Sequence, residues 1–335
     1  MPLGSHKHML NKLQSFLKLL PIDWLLEGEP FVKYHVMIDL LDKKNKDKEV
    51  DVIEKSIREH ELVKRILDNQ NKGGYWGTST DIYTWWPRKD TTFWLLGVLA
   101  DFGLRRDTKE IASACKYVFT TQFPCGGFGW APPPTPGDCF TGILIESLAK
   151  LDYISDPRLH NAYSWLVERQ RLDGGFWCKN TGLPGKPREQ EPSCAFAALC
   201  VLGAISQNPE LKNSKIAKRI VKFLLKCWDK RGKIKYAGHD SEIGKGWEKL
   251  KYPFTDYRIL KYLEILSQFD FARKDSRMSE MINILVSKQD KNGCFYAESI
   301  HNVWSDFDFG QKKLPSRWIT LIAYRIIKRF MQGQQ

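Results

Sequence analysis

The chain has 335 residues, of which 42% are hydrophobic and 27% charged. That composition belongs to a globular protein with enough apolar material for its own core, and it excludes a disordered or fibrous chain. The formal net charge of +13 admits nucleic acid, anionic lipid or a phosphorylated substrate as partner. Nucleic acid is set aside, because the lysines mix with Glu and Asp along the predicted helices and no basic run is interleaved with base-stacking aromatics.

Met1 to His8, with Gly4-Ser5-His6 and His8, reads as a tag remnant, which leaves residues 9–335 as a single domain. No apolar run approaches the ~18 residues of a membrane span, and a cytoplasmic location is expected. Eight cysteines stand at 115, 125, 139, 178, 194, 200, 227 and 294, none of them in a Cys-x-x-Cys pair. Disulfides are not expected in such a chain; core thiols or metal ligands are.

In chain order, helical patterns of two kinds alternate. Amphipathic segments run over 10–20, 50–69, 107–121, 157–170, 210–228 and 276–289. More apolar segments run over 30–42, 90–103, 138–152, 193–206, 254–268 and 316–330. A helix apolar around most of its surface must be buried, whereas an amphipathic one can face water. The expected fold is therefore all-α, a single α/α barrel of about six inner and six outer helices, with the 10–20 segment packing against the last helix.

The joints between outer and inner helices repeat. Gln70-Asn-Lys-Gly-Gly74-Tyr-Trp76, Gln122-Phe-Pro-Cys-Gly126-Gly-Phe128, Gln170-Arg-Leu-Asp-Gly174-Gly-Phe176 and Gln289-Asp-Lys-Asn-Gly293-Cys-Phe295 share one template, Gln-x-x-x-Gly-x-aromatic. Trp228-Asp-Lys-Arg-Gly232 is a degenerate fifth copy. In each, glycine is expected to end the outer helix in a left-handed conformation. Four copies with identical internal spacing are a repeat architecture.

These motifs resemble the QW repeats of squalene and hopene cyclases, and the Gly-Gly-Phe loops resemble those of protein prenyltransferase β subunits. Pro315-Ser316-Arg317-Trp318-Ile-Thr320 and Leu26-Glu-Gly-Glu-Pro30 resemble bacterial and archaeal prenyltransferase-like proteins. The likeness spans about residues 25 to 330 and implies the terpenoid cyclase and prenyltransferase fold. Fold does not fix the reaction.

In that architecture the outer-to-inner joints converge on one mouth, toward which the inner-helix N-termini point. Cys139, Cys178 and Cys194 fall there, and three thiolates with a fourth N or O ligand describe a zinc site. Asp138, Glu191, Asp256, His239 or water would complete it. Prenyltransferase β subunits use Asp-x-Cys and a later His; here Glu191-x-x-Cys194 and Thr255-Asp256 stand instead. Class II terpene cyclases use Asp-x-Asp-Asp, whose middle acid donates a proton. Asp306-Phe307-Asp308-Phe309 matches it without the third acid and reads as a pair of solvated loop carboxylates capping the last helix.

Asp90 and Asp256, at inner-helix starts, are the candidate catalytic acids, with N-capping as their plainer role. Trp86, Trp130, Phe176, Tyr257, Arg258 and Trp304 are the candidate substrate-binding residues. Their aromatics can hold an isoprenoid by area and a carbocation by cation–π attraction. Arg88, Lys89, Arg188, Arg258, Lys312, Lys313 and Arg317 form a basic rim suited to a diphosphate.

The expected function is thus a prenyltransferase-like barrel taking an apolar isoprenoid or prenyl diphosphate, with zinc as cofactor, and room for a protein partner. The alternatives are a non-catalytic binding barrel with a structural metal, a terpene cyclase-like lyase or isomerase, and a carbohydrate-active barrel using paired acids such as Asp90 and Asp256.

Overall fold

The computed structural model describes residues 13, 16–79, 91–130, 135–177, 191–233, 246–255 and 257–334. These residues are predominantly helical. Twelve of the helices matter here: α1 (Pro30–His35, continuing as a π turn over Val36–Leu40), α2 (Lys48–Glu59), α3 (Glu61–Asp68), α4 (Thr92–Asp101), α5 (Lys109–Thr120), α6 (Asp138–Leu148), α7 (Pro157–Val167), α8 (Ala195–Ser206), α9 (Lys215–Asp229), α10 (Ile259–Leu266), α11 (Ser276–Val286) and α12 (Arg317–Gln332). A short antiparallel ribbon pairs β1 (Gly129–Trp130) with β2 (Thr135–Pro136). No helix among the described residues is long and apolar enough to cross a membrane.

The helices fall into two compact units, one made of residues 1–60 and 248–335, the other of 61–247. In the second unit, α6 lies between α4 and α8, while α5, α7 and α9 pack outside α4, α6 and α8 respectively. The inner members are as apolar as expected. Every residue of α8 is buried, from Ala195 to Ser206. Close approach of α6 and α8 requires Gly142, since a Cβ there would meet the backbone carbon of Cys200 at 2.7 Å. In the first unit, α12 packs against both α1 and α10, with α2 outside α1 and α11 outside α10. The N-terminal amphipathic segment packs as expected. Phe16 is buried, with its ring 4.8 Å from Tyr324 of α12 and 6.1 Å from Phe295.

The repeat has a clear geometry. The Gln70, Gln122 and Gln170 amides each donate twice. One bond goes to the glycine carbonyl of the same turn: Gly74, Gly126 or Gly174. The other goes to a carbonyl at the start of the next outer helix, at Glu110 (2.7 Å), Arg158 (2.8 Å) and Ile216 (3.1 Å). Gln289 donates instead to the Tyr324 hydroxyl at 2.6 Å. Gly74, Gly126, Gly174 and Gly293 all have φ between +83° and +96°. At Gly174 the demand is also steric, because a Cβ would lie 2.7 Å from the Arg219 carbonyl oxygen of α9.

Threonines in the first turn of inner helices complete the joint, and the sequence reading missed them. Trp76, Phe128 and Phe295 donate their backbone N–H to Thr92, Thr141 and Thr320 at 2.9, 2.8 and 2.9 Å.

Three boundaries differ from the sequence expectation, the first being 210–228, which splits into a short helix over Pro209–Lys212 and α9 from Lys215. The 50–69 pattern is not one helix but α2 and α3, broken at His60 (φ −62°, ψ 132°). No Gly or Pro marks that break; the His60 ring stands edge-on to Phe31 at 5.6 Å. The 254–268 pattern becomes helical only at Ile259; residues 252–255, 257 and 258 are non-helical.

Candidate functional site

In both units the starts of the inner helices carry the polar and aromatic side chains. Their arrangement differs between the two units.

In the first unit, Glu29 occupies the N-cap of α1 but makes no capping bond through its side chain. Its Oε2 is buried and has no hydrogen-bond partner among the described residues. Asp308 lies in electrostatic contact with it. The carboxyl of Asp308 is pushed up to about 6 by burial, to which the Glu29 charge adds. Hydrogen bonds from the Trp318 and Arg317 backbone nitrogens and from Ser316 work against that rise without cancelling it. Asp308 Oδ2 accepts from Trp318 N at 3.1 Å, so it does cap α12. The sequence expectation of a solvated carboxylate is corrected: of the two loop acids, Asp306 is exposed and Asp308 is not.

Around this pair lies an aromatic floor. The buried Trp318 ring stands edge-on to Phe31, His35 and Tyr252, each at 5.6 Å. Tyr252 also meets Phe309 at 4.8 Å and the half-exposed Phe254 at 5.1 Å. Tyr257 and Arg258 are half-buried where α10 begins, and Arg258 is its N-cap residue. Thr255 Oγ1 is 2.8 Å from His301 Nε2. Two lysines are buried in the same stretch, Lys251 (7% exposed) and Lys261 (4%).

Further along the same helices, about two turns beyond Trp318 on α12, an ion network fastens α1, α10 and α12 together. Arg325 reaches Asp39 at 2.8 Å and Glu264 at 2.9 Å, while Arg329 reaches Glu264 at 3.0 Å and His35 Nδ1 reaches Asp39 at 2.9 Å. Burial pushes the Asp39 carboxyl up, yet Arg325 and His35 pull it well below the ordinary carboxylate range.

In the second unit, Asp138 opens α6 and is fully buried. Its oxygens accept from Arg169 Nε at 2.6 Å and Trp177 N at 3.1 Å. Burial again raises its carboxyl to about 6, against the pull of Arg169. Through these two bonds Asp138 ties the third joint to α6. Cys139, the next residue, is buried. Cys194 is the N-cap of α8 and its sulfur accepts from Ala197 N at 3.5 Å, as the Ser316 hydroxyl accepts from Ile319 N in α12. Cys115, Cys200 and Cys227 are buried core thiols, as expected, and the described cysteines form no disulfide. Among the described residues no group of three or more His, Cys, Asp or Glu is arranged to hold a metal.

Of the other sequence candidates, Phe176 and Trp304 are fully buried. Phe176 takes part in the third joint, where its carbonyl accepts from Cys194 N at 2.8 Å. Trp304 packs on Phe307 and Phe309 at 5.7 and 6.3 Å. Trp130 contributes its backbone to β1. Asp90, Asp256, Trp86, Cys178, Arg88, Lys89, Arg188 and His239 lie outside the described residues. The sequence reading undervalued Asp308 and overlooked Glu29; the available signal was an acid immediately before the proline that starts an apolar helix.

No protein-family model and no curated protein sequence matches the chain. Among solved structures, the chain is similar to the type II terpene cyclase MstE from Scytonema in complex with merosterolic acid A, its product. The TM-score is 0.50 at 14% identity, over 98% of this chain and 99% of that one. The same cyclase with geranylgeranyl dihydroxybenzoate, its substrate, gives 0.49 at 14% identity, over 98% of this chain and 99% of the other. A glycosyl hydrolase of family 88 from Bacteroides vulgatus gives 0.49 at 10% identity, over 97% and 99%. The first of these likenesses shows the fold: the chain is all-α, of the α/α-toroid kind found in that type II terpene cyclase.

Proposed function

We propose that this protein binds an isoprenoid or similarly apolar molecule at the inner-helix starts of its first unit and acts on it with Asp308 as a proton donor, in the manner of a terpene cyclase. The observation that carries the reading is a carboxyl raised to about 6, beside a second buried acid oxygen and above an aromatic floor. A general acid is most useful when its proton is retained near the working pH. Proton transfer from Asp308 to an alkene carbon would leave a carbocation. Phe254 and Tyr257, the half-exposed aromatics here, are the residue type that stabilises such a charge. Loss of a proton from carbon at the end of the reaction would regenerate the acid. Asp308 also stands where the middle acid of the class II motif falls in this sequence, although the motif's third acid is missing.

The test is incubation of the purified chain with a geranylgeranyl-bearing aromatic acid and, separately, with geranylgeranyl diphosphate, followed by mass analysis. A product of unchanged mass, lost at least ~100-fold in Asp308→Asn, supports the reading. No conversion of either compound refutes the enzyme reading; release of diphosphate with prenyl transfer supports the transferase alternative instead.

A second reading keeps zinc on Cys139, Cys178 and Cys194. It is favoured by one observation: Cys139 and Cys194 open α6 and α8, neighbours that pack closely through Gly142. A zinc ion there would supply thiolate or diphosphate activation.

A further inference from the structure

The mixing of charge read from the sequence fails over the first three turns of α9, whose last residue, Asp229, is an exposed acid. Every exposed position of α9 from Lys215 to Lys226 is basic: Lys215, Lys218, Arg219, Lys222 and Lys226. At three- and four-residue spacing these side chains line one face about 16 Å long. Like charges so spaced repel, and α9 is held by its opposite face, where Ile220, Leu224 and Trp228 are fully buried. Two other outer helices mix signs. α2 exposes Glu49 and Asp51 with Lys55 and Arg58, and α3 exposes Glu61 and Asp68 with Lys64 and Arg65.

Beside the basic row stands Leu172, 100% exposed. It belongs to the third glycine joint, and the joint is pinned to α9. The Arg219 guanidinium donates to the carbonyls of Arg171 and Leu172 at 2.8 and 3.1 Å. A row of cations with a fully solvated leucine fixed at its flank is a combination with a physical meaning. The cations gain from phosphate-rich surroundings, and the leucine gains only where water can be left behind.

We propose that α9 and the Leu172 turn form a docking surface for an anionic lipid bilayer, with the lysines against the headgroups and Leu172 entering the acyl boundary. A nucleic acid would satisfy the lysines but not the leucine, and among the described residues α9 and the Leu172 turn carry no exposed aromatic for base stacking. The proposal does not rest on the Asp308 site.

The test is co-sedimentation of the full chain with phosphatidylcholine vesicles, with and without phosphatidylserine. Binding is expected only with phosphatidylserine and should weaken as salt rises. Combined Lys215→Gln, Lys222→Gln and Lys226→Gln should lower it about 100-fold, roughly fivefold for each lysine. Leu172→Ser should lower it about tenfold with the salt dependence retained. All four positions are exposed, so circular dichroism should show the fold unchanged. Failure to bind phosphatidylserine vesicles, or equal binding by the triple variant, overturns the proposal. So does tighter binding to RNA or DNA than to vesicles together with no effect of Leu172→Ser.

Discussion

The side-chain amide of Gln170 donates to the backbone carbonyl of Ile216 at 3.1 Å. The same nitrogen donates to Gly174 at 3.0 Å, so one residue ties its own turn to the start of α9. Gln170→Ala should destabilise the chain by about 1–3 kcal/mol, the cost of leaving partly buried carbonyls unsatisfied. Gly174→Ala should cost at least as much, since φ is +90° and the added Cβ would meet the Arg219 carbonyl oxygen at 2.7 Å. Urea unfolding midpoints check both; unchanged midpoints would show the joint to be incidental.

The ion network predicts a larger effect. Arg325 is 11% exposed and answers two carboxylates, Asp39 and Glu264. Arg325→Ala should cost about 3–5 kcal/mol, because it leaves buried charge uncompensated. Arg325→Lys should not restore the loss, since one ammonium cannot present the guanidinium fork to both partners. Thermal unfolding of the two variants decides the matter, and full rescue by lysine would argue against the bridging role.

The pH dependence of stability has two opposing parts. Asp138 and Asp308 sit at about 6 when folded, against the ordinary 3.8. Between those values the folded state holds protons that the unfolded chain has released, so both acids make stability fall as pH rises from about 4 to about 6. Asp39, depressed on folding, acts oppositely: its contribution is present above the ordinary carboxylate range and is lost as pH falls below it. Asp308→Asn should flatten the decline between pH 4 and 6 without touching the loss in strong acid. An unaltered profile would show that Asp308 titrates normally.

The zinc reading makes its own prediction. Protein purified without chelator should carry zinc, and Cys139→Ser should lose it. Cys194→Ser separates metal binding from helix capping, because a serine hydroxyl can take the Ala197 N–H as Ser316 takes that of Ile319. That variant should therefore fold while losing metal. Elemental analysis finding no zinc in the unaltered chain would remove this reading.

The repeat and the alternation of buried and half-exposed helices were legible in the sequence because they are local. A glycine at a left-handed turn and a glutamine four residues before it depend on nothing distant. The break at His60 was not legible, since no residue there is a helix breaker and the Phe31 ring that it meets lies on another helix. Nor was the burial of Asp308. Asp306 and Asp308 look alike in sequence, and only packing against Glu29 and Trp318, from opposite ends of the chain, distinguishes them. The threonine clamps were present in the sequence, but three threonines mean nothing until their partners' backbone N–H groups are placed beside them. Leu172 and the lysines of α9 were likewise visible, though not as one surface.

Burial beside Glu29 lets Asp308 hold its proton up to about pH 6, well above the ordinary carboxylate range. Titration of the Asp308 carboxyl carbon by NMR, in the unaltered chain and in Glu29→Gln, tests it most directly. An apparent pKa near 6 is expected, moving down when the Glu29 charge is removed. A value near 4 that ignores Glu29→Gln would make Asp308 an ordinary helix cap and contradict the acid role assigned to it.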